Sequence, residues 1–388
     1  MNHLKLMEYQ SKALFEQFEI PTMRGAVVDH VEDLDRALGD ADIHYPVVIK
    51  AQVPIGGRGK AGGIQFAHNL AEAKVHCERL LGSTLRGYPV NRLMVVEESR
   101  HNTEWYLAIL LDRISKTPSI LFSCAGGMEI EETARTHPDK IQKIPISPMI
   151  GIQDYMARYL LSSNGLPLDS VEELNQLLKK LYRCFMAYDC MLCEINPLAI
   201  DCQGHLVALD GKVDIDDSAL YRLPDAQKWR NETPENALVK EARNYNFLYI
   251  PVSEGGSVAV CSNGSGMLMS CIDMITKEGM TVGAALDLGG GATKERISEA
   301  MRILFSTPGI RAVLINIFGG ITRCDEVAGG VRLAMEQHML GDKIVILRME
   351  GTNKDQAIEI IDSLGANVIR ADGLRESVAA LLERRDRL

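Results

Sequence analysis

Val282-Gly-Ala-Ala-Leu-Asp-Leu-Gly-Gly-Gly-Ala-Thr-Lys294 decides the architecture of this chain. A short apolar run ends in three glycines, and a helical pattern begins directly after them. The same order recurs four more times. Residues 257–261 end in Ser262-Asn-Gly-Ser-Gly266, 312–318 in Gly319-Gly320, 343–349 in Glu350-Gly-Thr-Asn353, and 368–371 in Asp372-Gly373. Strand, glycine loop and helix, repeated in this way, predict an open, doubly wound parallel sheet with helices on both faces. The unequal spacing excludes a solenoid repeat.

Upstream the pattern is mixed. Met7, Leu14, Phe15 and Phe18 give a helix-like spacing over 7–18. Strands are predicted at 46–53, 93–97, 105–112 and 119–124. A helix is predicted at 169–188, with Leu174, Leu177, Leu178, Leu181 and Phe185 on one side. Residues 192–200 and 205–210 read as a hairpin around Asp201-Cys-Gln-Gly204, which puts Asp210 at the end of its second strand. The polar, proline-bearing stretch 224–246 reads as a linker or peripheral helix. The division is placed at 240/241, giving domains 1–240 and 241–388.

Composition narrows the function. A chain of 388 residues suggests two to three domains. With 46% hydrophobic residues it has the material for real cores, so disorder is excluded as its main state. Lys plus Arg is 42 and Asp plus Glu is 52, a net charge of −10. That acidity, with 5% aromatics, argues against a nucleic-acid partner. No apolar run is long enough for a membrane span, and Met1 to Gln10 has no signal layout. Nine irregularly spaced cysteines predict reduced thiols in the cytoplasm. Cys190 and Cys193, three apart on a predicted strand, should face opposite ways and share no metal. None of the nine histidines has a neighbouring orienting acid in an evident motif.

Three segments carry chemistry. Gly56-Gly-Arg-Gly-Lys-Ala-Gly-Gly63, just after a strand bearing Lys50, offers N–H groups and positive charge to polyphosphate. The bland alternative is a flexible hairpin tip with solvated charges. No Gly-Lys-Ser/Thr closes it, so it is not a Walker A loop. Glu194 and Asn196, two apart on a strand, share a face. Asn196 and Asp210 could converge as hard oxygen ligands suited to Mg²⁺, or could be ordinary polar alternation. Asn263, Gly290, Gly320 and Gly351 lie in loops beyond strand ends, where α/β sheets bind ligands.

The motifs, taken together, resemble those of the β subunits of succinyl-CoA synthetase (succinate–CoA ligase), over essentially the whole chain. The resemblance rests on Glu8-Tyr9-Gln10-Ser-Lys-Ala-Leu14-Phe15, Lys50-Ala-Gln-Val53, the glycine loop and Gly126-Gly-Met-Glu-Ile-Glu131. It continues through Glu194-Ile-Asn-Pro-Leu198, Leu209-Asp-Gly-Lys212, Asp287 to Glu295, and Asn316-Ile-Phe-Gly-Gly-Ile-Thr-Arg-Cys-Asp325. It implies an ATP-grasp N-terminal domain and a flavodoxin-like C-terminal domain. It also implies an α subunit carrying the CoA site and a histidine that is phosphorylated by nucleotide and passes the phosphoryl group to succinate.

By motif, the resemblance assigns Lys50, Gly57, Arg58 and Gly59 to the nucleotide phosphates. It assigns Glu97 and Glu104 to the nucleoside region; which of Glu97, Glu98 and Ser99 makes that contact stays open. Asn196 and Asp210 become Mg²⁺ ligands, and Glu194 the residue orienting the histidine. Asn263, Gly320, Ile321 and Thr322 would bind the carboxylate substrate, with the helix after Gly320 directed at the phosphohistidine. Pro54-Ile55 stands where the family often has His-Ala, and Thr322 where it often has an apolar residue. ATP is the expected nucleotide, with GTP open. Succinate is the expected acid, with malate, as in malate–CoA ligase, the near alternative. A non-catalytic regulatory subunit is the alternative from another class. The assembly is αβ or the α₂β₂ heterotetramer.

Overall fold

The structure, a computed structural model, describes residues 3–55, 57–127, 130–233, 235–337 and 341–388, the side chain of Glu131 aside. Gly56 of the glycine loop, Met128 and Glu129 of the Gly126 motif, and Pro234 of the predicted linker lie outside the described residues. The chain divides into two compact units, Met1–Thr233 and Pro234–Leu388, earlier than the 240/241 division expected from sequence.

The first unit holds two sheets. The smaller runs Gly25–Val28, Leu93–Glu97, Val47–Ala51, Ile64–Ala67, all antiparallel. Val47, Ile49, Leu93 and Val95 pack against Leu34 and Leu38 of helix Leu34–Asp40 and against Cys77 and Leu80 of helix Leu70–Leu80.

The larger sheet runs His3–Lys5, Gly211–Asp216, Cys190–Asp201, His101–Asp112, Thr117–Ser123, Gln142–Pro145. Leu206–Ala208 also pairs with Cys190–Asp201. Helix Val171–Ala187 buries the predicted stripe, Leu174, Leu177, Leu178, Leu181 and Phe185, on this sheet. Each such side chain contributes about 1.5–3 kcal/mol of transfer free energy. Glu172 and Glu173 in its first turn complement the helix dipole.

Helix Glu8–Gln17 matters most for the site. Its Phe15 fills the space beside Gly211, where an added Cβ would meet Phe15 Cε2 at 2.4 Å. A glycine is therefore required next to Asp210, and the helix start is held against that corner.

Three local expectations need correction. Asp210 does not end a strand; it lies in the connection between Leu206–Ala208 and Gly211–Asp216. The stretch read as a linker or peripheral helix is helical, but as two helices, Pro224–Glu232 and Ala237–Asn244, rather than one. Cys190 and Cys193 do not face opposite ways. A register shift between Cys190 and Leu192 resets the alternation, and both join Cys184 in the core. No metal-binding cluster of three His, Cys, Asp or Glu exists among the described residues.

In the second unit the sheet order is Leu248–Pro251, Val282–Asp287, Val258–Ser262, Ala312–Gly319, Ile344–Gly351, Val368–Ala371. The five predicted strands are parallel and ordered 2-1-3-4-5, the flavodoxin-like arrangement. Helices Ser265–Lys277 and Leu374–Leu382 cover Val258, Val260, Leu314 and Ile346. Helices Lys294–Ser306, Cys324–Glu336 and Lys354–Asp362 cover Ala259, Val313, Ile315 and Val345. Leu248–Pro251, antiparallel to Val282–Asp287, was not predicted. Among the described residues, no helix is long and apolar enough to cross a membrane.

Candidate functional site

Lys50 projects from the strand Val47–Ala51, and the chain then turns into the glycine loop. That loop is folded on itself. The Gly63 N–H donates to Arg58 O at 2.9 Å, and the Ala51 N–H donates to Gly63 O at 2.8 Å. Gly57 adopts φ +68°, and an added Cβ at Gly63 would reach Leu85 Cδ1 at 2.8 Å. Arg58 is therefore carried inward rather than waving at a hairpin tip; its side chain is 11% exposed.

The partners of the two cations come from distant segments. Lys50 Nζ donates to Glu8 Oε1 at 2.7 Å and to Leu209 O at 2.8 Å. Arg58 donates through one terminal nitrogen to Glu8 Oε2 and through the other to Asp210 Oδ2 at 2.7 Å. Gly211 N–H donates to Asp210 Oδ1 at 2.8 Å. Glu8 is the first residue of its helix and was not singled out as a site residue. No sequence spacing signals it; a buried acid at a helix start needs the folded partners to acquire meaning.

Asn196 meets Asp210 directly. Its N–H donates to Asp210 O at 3.3 Å, and Leu209 N–H donates to Pro197 O at 3.1 Å, where the strand Cys190–Asp201 shifts register. Asn196 Oδ1 accepts from Gly127 N–H at 2.8 Å. Gly127 in turn lies against the Glu104 carboxylate, which an added Cβ would approach to 2.5 Å. Glu194 stands opposite Lys212 on the neighbouring strand. Lys50, Arg58, Asp210, Asn196, Gly127 and Glu104 thus form a continuous chain of neighbours joining the two sheets of this unit.

Glu97 and Ser99 are held elsewhere. Glu97 pairs with Val47, three residues along the strand from Lys50 and about 10 Å away. It accepts from His44 N–H at 2.9 Å. The Ser99 carbonyl lies 3.0 Å from His101 Nδ1, and His101 Nε2 lies 2.8 Å from Glu104 Oε1. One histidine does, then, have an orienting acid, contrary to the expectation from sequence; the pair forms across a strand start, where spacing gave no motif.

Electrostatics follow from this packing. Burial pushes Glu8 up, but the charges and hydrogen bonds of Lys50 and Arg58 outweigh it and hold the carboxyl below the ordinary glutamate range. Burial and the neighbouring Glu8 charge push Asp210 up, against the pull of Arg58 and Lys50. Burial disfavours charge on Arg58, yet its two carboxylates more than offset that and raise it. A pair of cations at this junction can grip an anion in exchange for one of the acids paired with them, and the adjacent amide and carboxylate oxygens can take a hard cation.

In the second unit's loops the Asp287 carboxylate accepts from Gly289 N–H at 2.9 Å and from Ser265 Oγ at 2.7 Å. Asn263 Nδ2 donates to Phe318 O at 2.9 Å, and Phe318 N–H donates to Asn263 Oδ1 at 3.1 Å. Thr322 is buried and its hydroxyl accepts from Gly291 N–H at 3.0 Å. Ile321 is exposed, as is Phe318, while an added Cβ at Gly320 would meet nothing. The helix expected after Gly320 begins at Cys324, whose N–H donates to Thr352 O at 3.0 Å.

Comparison with known proteins agrees with both units. The ATP-grasp domain family matches residues 5–200 and the CoA-ligase family residues 261–382. The succinate–CoA ligase (ADP-forming) subunit β of Desulfurococcus amylolyticus is 41% identical over 367 residues, covering 94% of this chain and 95% of that protein. The protein of the same name from Desulforapulum autotrophicum is 40% identical over 392 residues, covering 98% and 100%. The structure of ATP citrate lyase from Methanothrix soehngenii in complex with citrate and coenzyme A matches with a TM-score of 0.77 at 19% identity, covering 98% of this chain and 100% of that chain. That last likeness is one of fold.

Proposed function

Because this chain belongs to the family of succinate–CoA ligase β subunits, we propose that its first unit binds Mg²⁺-ATP and that, with an α subunit, it joins succinate to coenzyme A. The observation that carries the site assignment is the convergence of Lys50 and Arg58 with Asp210 and Asn196. The γ-phosphoryl group leaves the β-phosphate oxygen of ATP for a histidine of the α subunit. It passes from there to a carboxylate oxygen of succinate. The CoA thiolate then displaces inorganic phosphate and forms the thioester. The ADP-forming relatives support ATP over GTP, and nine free cysteines suit a reducing cytoplasm.

The side chains present fit a magnesium ion. Asp210 and Asn196, whose backbones are joined by one hydrogen bond, offer a carboxylate and an amide oxygen, and Mg²⁺ characteristically takes one or two protein oxygens together with phosphate oxygens and water. Bound there, it would neutralise charge on the transferring phosphoryl group. Lys50 and Arg58 hold the phosphates, with the backbone of Gly57 and Gly59 alongside. Glu194 orients the incoming histidine. Glu104 faces the nucleoside, with Glu97 and Ser99 on its approach. In the second unit Gly320 and Ile321 present backbone groups to the succinate carboxylate. Asn263 and Thr322, hydrogen-bonded to Phe318 and to Gly291, hold those loops in shape.

Calorimetry on the isolated chain should show Mg²⁺-ATP binding and no acyl-CoA formation. Adding an α-type subunit, succinate and CoA should yield succinyl-CoA, with phosphohistidine label on the α chain. Malate should be the poorer acid. Failure to bind ATP, or succinyl-CoA made by the chain alone, would overturn the reading.

A further inference from the structure

The two cations assigned to phosphate are already neutralised by this chain's own acids. Lys50 and Arg58 supply two positive charges; Glu8 and Asp210 supply two negative ones. Each terminal nitrogen of Arg58 bonds one acid. A phosphate gripped end-on through both terminal nitrogens competes with both acids for them. The two acids are unequally held. The Glu8 side chain is 3% exposed and Asp210 is 27% exposed. Glu8 also sits at a fixed helix start, where Tyr9 N–H donates to Gln52 Oε1 at 3.0 Å. Asp210, beside Asn196, would have a bound metal ion to turn to; among the described residues Glu8 pairs with no cation other than Lys50 and Arg58.

Resting on the nucleotide reading above, we propose that Glu8 is a resident anion of the phosphate site, which stays paired when nucleotide enters and thereby weakens its binding. Asp210 is the exchangeable partner: it releases Arg58 toward phosphate. Glu8 keeps part of the positive charge engaged, so the site is ordered and neutral when empty and releases its ligand readily. Affinity is given up for a folded, preorganised site.

The test is Glu8→Gln in the isolated chain, which keeps side-chain shape and an acceptor for Lys50 while removing the charge. Affinities for Mg²⁺-ATP and for tripolyphosphate are measured by calorimetry at low and high ionic strength. The variant should bind both about fivefold more tightly at low salt, with the gain shrinking as salt screens the site. Damage to the fold weakens binding, so it cannot mimic this gain. Glu8→Asp, which keeps the charge but draws it back from both cations, should gain about twofold. If Glu8→Gln does not fold, Glu8→Asp decides the question in the same direction. Equal or weaker binding by a folded variant, with the unmodified chain still binding ATP, would overturn the proposal and leave the functional reading intact. If the unmodified chain binds neither ligand, the functional reading fails and takes this proposal with it.

Discussion

The glycine loop at 57–63 and the glycine loop at 289–291 each follow an apolar strand, and on paper they are alike. In the first, the loop delivers a buried arginine into a lattice of four charges drawn from Glu8, Lys50, Arg58 and Asp210. In the second, the loop is tied by Gly289 N–H to the carboxylate of Asp287 at its own strand end and by Gly291 N–H to the Thr322 hydroxyl, near the exposed Ile321. Glycine content therefore says only that the backbone turns tightly. What decides the chemistry is which side chains the rest of the fold sends to meet the loop: long-range ion pairs in one unit, a local carboxylate and a hydroxyl in the other.

The sharpest test of the contrast is Asp210→Ala, which removes the metal-facing acid of the charged site. Phosphohistidine formation with an α subunit should fall by about 10²–10³-fold, while the second unit's unfolding stays unchanged. Near-normal labelling at limiting Mg²⁺ would break the assignment of the charged site to metal.

Gly351→Ala tests the second unit's loops. Gly351 has φ +124°, and an added Cβ would lie 2.0 Å from Gly319 O. Strain and overlap together should cost about 3 kcal/mol, read as a lower denaturant midpoint for the second unit. Gly62→Ala, at φ +79° but in open space, should cost only about 1 kcal/mol. Nucleotide affinity should be untouched by Gly351→Ala. A loss there would mean that the loops of the two units are coupled.

Arg58→Ala should weaken Mg²⁺-ATP binding by about 10–30-fold, with little change in the succinate KM. Unchanged nucleotide affinity would demote the first loop to the purely structural status of the second.

The smallest effect is in pH. Folded Glu8 has its pKa lowered from 4.5, so the unfolded chain takes up that proton first. Its contribution is present above about pH 4.5 and is lost as pH falls through the lowered folded value. The stability difference between the unmodified chain and Glu8→Gln should therefore be widest near neutrality and close in acid. A difference that stays constant with pH would show that Glu8 acts by packing alone.

Much of the fold was legible because it is local. The strand–loop–helix units of 257–371 announce themselves within about 30 residues each, and handedness and burial leave few ways to order them. The stripe from Leu174 to Phe185 was equally plain. The strand Leu248–Pro251 was missed because it is short, ends in proline and acquires its meaning only by pairing with Val282–Asp287. Of the candidate site, the glycine loop, Asn196 and Asp210 stand out in the sequence, but Glu8 does not. Its bonds to Lys50 and Arg58 span 42 and 50 residues, and that of Arg58 to Asp210 spans 152. No periodicity carries information over such separations. Cys190 and Cys193 misled for the opposite reason, since a single bulge inverted a correct local rule.

The antiparallel strand Leu248–Pro251 bears on how this chain can be cut. The CoA-ligase family match begins at residue 261, which invites a fragment starting near there. Such a fragment would lack both Leu248–Pro251 and most of Val258–Ser262, the two neighbours of Val282–Asp287. That strand, apolar along most of its length, would be left with raw hydrogen-bonding edges on both sides, a template for aggregation. A fragment starting at residue 235 would keep the proline-ended strand as a natural guard on the sheet and should remain monomeric where the shorter one precipitates.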